Sequence, residues 1–119
     1  AKFVGFENFF KGEIKDSSGK YHFFSEKGGY KTPILDQTII QRKTVIAAFR
    51  PNGFEILSSD QKDQSLIPGL IRVQTYLGKG YRYLIDTELG ELVVDHTENK
   101  FSINTQIFLK PLPEMMVLL

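Results

Sequence analysis

The stretch Thr44-Val-Ile-Ala-Ala-Phe-Arg-Pro-Asn-Gly-Phe-Glu-Ile-Leu57 has an echo in Thr105-Gln-Ile-Phe-Leu-Lys-Pro-Leu-Pro-Glu-Met-Met-Val-Leu-Leu119. In both, an apolar run ends in a basic residue, a proline follows, and a second apolar run begins after a short turn. Arg50-Pro51 and Lys110-Pro111 stand 60 residues apart. Upstream, Gly12-Glu-Ile-Lys15 and Gly69-Leu-Ile-Arg72 open each half, and each leads through a glycine-containing turn to an aromatic strand, Lys20–Phe24 or Tyr81–Ile85. Proline fixes φ and cannot donate to a strand ladder, so it ends one strand and turns the chain into the next. One β unit is used twice, over about residues 12–60 and 66–119.

Working outward, the remaining strand signals are short runs of β-branched and aromatic residues at Ile14, Tyr21–Phe24, Leu70–Tyr76, Leu92–Val94, Gln106–Leu109 and Met115–Leu119. Turn clusters separate them, among them Asp16-Ser17-Ser18-Gly19, Lys27-Gly28-Gly29, Pro51-Asn52-Gly53, Ser58-Ser59-Asp60 and Glu98-Asn99-Lys100. Only Asp36–Lys43 and Asp60–Ser65 leave room for a helical turn. This pattern predicts an all-β chain folded as a small OB-like barrel or barrels.

The bulk properties narrow the chemistry. The 119 residues contain no cysteine, which excludes structural disulfides, thiol catalysis and cysteine zinc sites. Fifteen basic and fourteen acidic residues give a net charge of +1, spread evenly along the chain. Nucleic-acid binding draws its affinity from phosphate contacts and a basic face, so no nucleic-acid partner is expected.

The sharpest candidate for a ligand loop is Tyr76-Leu-Gly-Lys-Gly-Tyr-Arg-Tyr83. A phosphate-cradling ATP loop needs G-x-x-x-x-G-K-[ST] opening a helix. Gly78-Lys79-Gly80 lacks that spacing and is followed by a strand, so it reads as a tight turn. Alternation puts Tyr81 and Tyr83 on one face and Arg82 on the other. Asp95, His96 and Glu98 lie at a strand end and read as a polar turn rather than a metal site, and His22 stands in an aromatic strand. Glu88 and Glu91 bracket a hairpin turn. No catalytic, metal-binding or cofactor-binding residue is assigned.

Four pieces in order carry a resemblance: Phe3-Val-Gly-Phe-Glu-Asn8, Phe49-Arg-Pro-Asn-Gly-Phe-Glu-Ile56, Gly69-Leu-Ile-Arg-Val-Gln-Thr-Tyr-Leu-Gly78, and Phe108-Leu-Lys-Pro-Leu-Pro-Glu-Met-Met-Val-Leu-Leu119. Together they resemble the C-terminal regulatory region, with its TOBE-type domain, of the ATPase subunits of bacterial ABC importers. The resemblance implies that residues 1–11 connect to an ATPase domain lying outside this sequence and that 12–119 form the regulatory domain. ATP and magnesium would belong to the ATPase domain, so this region is not itself an enzyme. Its implied partners are a second copy of the ATPase subunit, the membrane permease subunits through the ATPase domain, and a small anionic or cationic transported substrate. The implied location is cytoplasmic, at the inner face of the plasma membrane. Asn52 stands where the family usually has glutamate. Arg50, Pro51, Asn52, Tyr76, Gly78, Lys79, Arg82 and Lys110 are the candidate interface or regulatory residues. The alternatives are a ligand-sensing domain, with Arg50, Arg82 or Lys110 binding an oxyanion, and an OB-like nucleic-acid-binding module that would stack bases on Tyr76, Tyr81 and Tyr83.

Overall fold

The computed structural model describes residues 4–37, 44–58, 63–98 and 100–119. Ten strands are formed: β1 (Asn8–Ser17), β2 (Lys20–Ser25), β3 (Lys31–Pro33), β4 (Val45–Phe49), β5 (Phe54–Leu57), β6 (Ile67–Tyr76), β7 (Tyr81–Thr87), β8 (Gly90–His96), β9 (Gln106–Pro111) and β10 (Val117–Leu118). They make two antiparallel five-stranded sheets, ordered β10-β4-β1-β2-β3 and β5-β9-β6-β7-β8. The two orders are the same plan. Each sheet takes four strands from one half of the chain and its fifth, an edge strand, from the other half.

The crossings explain the repeated basic-proline corner. After β4 the chain turns through Arg50–Gly53, with the Gly53 amide donating to the Arg50 carbonyl at 2.9 Å, and β5 leaves for the other sheet. After β9 the chain turns past Pro111, and β10 returns to pair with β4. The Leu112 amide donates to the Gly53 carbonyl at 2.9 Å, so the two crossings are bonded to each other. The expected strand at Met115–Leu119 shrinks to Val117–Leu118, because Pro113 starts a short 3-10 turn over Pro113–Met115.

Alternation along β1 buries Asn8, Phe10, Gly12 and Ile14 and exposes Phe9, Lys11 and Lys15. Residues 8–11, expected within a connector, are thus strand paired with β4. Gly12 lets the Phe23 ring lie against the backbone: a Cβ there would stand 2.1 Å from the Phe24 carbonyl oxygen. In β6 the alternation breaks. A bulge between Ile71 and Val73 shifts the parity, so Val73 is exposed and Gln74 lies opposite Tyr83. The inward residues of both sheets, from Phe10, Phe23 and Phe49 to Tyr83, Ile107 and Leu109, form one core. Lys31–Pro33, which carries no strand signal in the sequence, forms an edge strand paired to His22–Phe24. The helical turns expected within 36–43 and 60–65 lie largely outside the described residues.

Candidate functional site

Arg50 follows the buried end of β4 and points back to the segment leading into β1. Its guanidinium lies over the Phe6 ring, 4.1 Å from the centroid, and its Nε–H donates to the Val4 carbonyl at 3.3 Å. Gly5 makes the approach close: its φ is +83° and a Cβ would sit 3.3 Å from the arginine Nε. Pro51 is buried, and its carbonyl accepts the Asp95 amide at 2.9 Å. Asn52 is exposed at the apex of the turn.

Arg82 serves the same segment from β7. It makes a two-pronged pair with Asp95 on β8, Nε to Oδ1 at 2.8 Å and Nη2 to Oδ2 at 3.0 Å, while Nη1 stands 3.5 Å from a Glu7 oxygen. The Asp95 hydrogen bond, with the Asp95 and Glu7 charges behind it, raises the guanidinium's pKa above its ordinary value. Next to Glu7, the buried Asn8 amide bonds to the backbone of Val93. Residues 4–8 are therefore held by both sheets. Arg82 is half-buried and already paired, on the face opposite the buried Tyr83.

The other candidates lie elsewhere. Tyr76 is exposed at the tip of the β6–β7 hairpin, its hydroxyl donating to the Gly78 carbonyl at 2.8 Å and its ring 5.3 Å from that of Tyr81. Gly78 has φ +89°, and the Leu77 amide closes the turn onto the Gly80 carbonyl at 2.8 Å. Lys79 is exposed at this tip. The amide of Leu77 is spent on the turn, which bends the chain as its composition predicts.

Lys110, at the second corner, lines an open cleft of about 760 Å³ together with His22, Thr32, Asp63 and Ser65. Its ammonium makes no hydrogen bond or ion pair among the described residues. The Asp63 carboxyl is held below its ordinary range, first by accepting the Ser65 amide at 2.9 Å and last by the field of Lys110. The three cations named as alternative oxyanion donors lie at two corners: Arg50 and Arg82 turn to residues 4–8, and Lys110 faces the cleft. Glu7, Asn8 and Asp95 complete the corner as partners that no local sequence signal marks. Asp95 was weighed only with His96 and Glu98, and among the described residues no group of three or more such side chains converges to hold a metal.

Two antiparallel sheets that exchange edge strands around one core define an OB-like all-β fold. The chain superposes with a TM-score of 0.74 on ModG, a cytoplasmic molybdate-binding protein solved with molybdate bound, at 12% identity over 97% of this chain and 96% of that one. No protein-family model and no curated protein matches the sequence. No helix among the described residues is long and apolar enough to cross a membrane.

Proposed function

We propose that this chain is a non-catalytic regulatory and dimerisation domain of the ATPase subunit of an ABC importer. The observation that carries this reading is the docking of residues 4–8 onto the Arg50 corner and Arg82. Two of the four motif pieces that resemble the importer region meet there in space. A segment held this way transmits position: a domain joined through it would be fixed relative to both sheets instead of hanging on a free tether. Arg50 and Arg82 are the positioning residues, Pro51 and Asn52 shape the corner, and Tyr76 and Lys79 offer an exposed tip for a second copy. The test uses the full-length subunit with and without residues 12–119. Loss of dimer mass in light scattering and of regulated transport on deletion is the expected result; unchanged dimerisation and transport would refute the proposal.

A second reading is favoured by the fold comparison and by Lys110. ModG binds molybdate, and an OB-like domain whose lysine, unpaired among the described residues, faces an open cleft is suited to sensing a small oxyanion. Calorimetry against molybdate, sulfate and phosphate tests it. Heats of binding are expected for at least one, and silence across the three removes it.

A further inference from the structure

We infer that Asn52-Gly53 is a self-modification site, a slow deamidation gated by the corner that links the two sheets, and that its product unlocks both crossings. The inference is independent of the importer and sensing readings. Asn52-Gly53 is the one Asn-Gly pair in the chain; Asn8, Asn99 and Asn104 precede phenylalanine, lysine and threonine. Glycine matters because the reaction is an attack of the next residue's backbone nitrogen on the asparagine side chain. A residue without Cβ neither crowds that nitrogen nor restricts its rotation. Asn52 is exposed at the apex of the turn, so water reaches its amide. The matching crossing of the other half carries Pro111-Leu112-Pro113 and has no such chemistry.

The closed turn holds the reactants apart. The Gly53 amide donates to the Arg50 carbonyl at 2.9 Å, which engages the attacking nitrogen. Asn52, at position i+2 of this turn, keeps a negative φ, as in a type I turn, whose ψ at that position is about 0°. The Gly53 carbonyl accepts the Leu112 amide at 2.9 Å, and Phe49 and Met115 pack beside it. One glycine is thus held by its own crossing on the N–H and by the other crossing on the carbonyl, and reaction waits on local opening. In the opened corner the Gly53 nitrogen gives its proton to hydroxide and bonds to Asn52 Cγ. The Cγ–Nδ2 bond breaks, and the side-chain nitrogen leaves as ammonia with a proton from water. Water then opens the succinimide ring. Attack at Cγ leaves aspartate; attack at the main-chain carbonyl leaves isoaspartate, with the chain running through Cβ and Cγ. Either product adds one negative charge, taking the formal net charge from +1 to 0. Isoaspartate also lengthens the main chain by one carbon inside the turn. Gly53 can then no longer serve Arg50 and Leu112 together. The two-residue edge strand β10, which continues from Leu112 and is closed by the Leu119 amide on the Ile46 carbonyl at 2.8 Å, loosens with it.

The experiment ages the purified protein in warm, mildly alkaline buffer, folded and in urea, and counts isoaspartate at residue 52 by peptide mapping with mass spectrometry. Isoaspartate should accumulate there in the folded protein, and about tenfold or more faster in urea, where the corner is always open. In the aged folded protein the amides of Leu112 and Leu119 should exchange faster than in fresh protein. Aged Asn52→Gln, whose longer side chain disfavours ring closure, should show neither change. Circular dichroism melts verify that both proteins are folded. No isoaspartate at residue 52 in the folded protein, or an equal rate in urea, overturns the gated site. Isoaspartate with unchanged exchange at Leu112 overturns the unlocking.

Discussion

The side-chain amide of Asn8 grips the backbone of Val93 from both sides, accepting its N–H at 2.7 Å and donating to its carbonyl at 2.9 Å. One amide does what a paired strand would do. It covers the free edge of β8 with the first residue of β1 and so ties the two sheets together where the chain comes in. Asn8 is 1% exposed, which makes this link costly to break. Asn8→Ala should destabilise the fold by about 1–3 kcal/mol, because two half-buried backbone groups lose their partners at once. Urea midpoints at unchanged m-value measure it, and a loss below half a kcal/mol would show the link to be dispensable.

Arg82 and Asp95 give a smaller effect of a different kind. The pair is about one-third exposed on both sides, with side-chain exposures of 35% and 30%. Arg82→Ala should therefore cost only about 1 kcal/mol or less, and the difference should shrink as salt is added. The informative readout is local. Amide hydrogen exchange of residues 4–7 should accelerate in Arg82→Ala and in Arg50→Ala while the core amides keep their protection.

Gly12 tests the packing of the first sheet. An alanine methyl there would meet the Phe24 carbonyl at 2.1 Å and the Phe23 ring at 2.6 Å. Neither can yield without shifting β2, so Gly12→Ala should cost about 3 kcal/mol. By contrast, Gly19 has open space around its Cβ position, and its positive φ of +84° makes backbone strain the whole penalty there. Gly19→Ala should be milder, about 1 kcal/mol, and thermal melts of the two variants order the effects.

Tyr30 sets an alkaline limit on stability. Its ring packs on Phe10 and Phe23, and its buried hydroxyl makes no hydrogen bond of normal geometry among the described residues. Burial pushes the phenol well above its ordinary value, with the nearby Thr32 hydroxyl offsetting a little of this. The folded pKa is thus raised above the unfolded one. The neutral phenol's contribution is fully present below the unfolded value of about 10 and is lost as pH rises beyond it. Tyr30→Phe should flatten stability between about pH 9 and 11 and be neutral or stabilising at pH 7, since it deletes an unpaired buried group. An unaltered alkaline decline in that variant would assign the effect to another residue.

How much of this was legible depended on how local the cause was. The Arg50-Pro51 and Lys110-Pro111 echo could be seen because proline ends a ladder wherever it stands, and both crossings fall at those prolines. The bulge at Arg72 could not: Leu70–Tyr76 reads as an even strand, and only the pairing with β7 shows that Val73 has turned outward. Lys31-Thr32-Pro33 carries no strand-rich run, and its strand exists because β2 offers a ladder. The same limit applied to the corners. The basic residues stand out in the sequence, but Phe6 and Glu7 from the segment leading into β1, and Asp95 from β8, which neutralise or cover them, are brought in by the fold.

The regulatory role proposed above is checked by the mass of an importer ATPase subunit that carries this chain as its C-terminal domain, measured by light scattering with and without residues 12–119 at matched micromolar concentration. A dimer is expected with the domain and a weakened or lost dimer without it, accompanied by loss of regulated transport. A subunit whose dimer mass and transport are the same in both forms would contradict it.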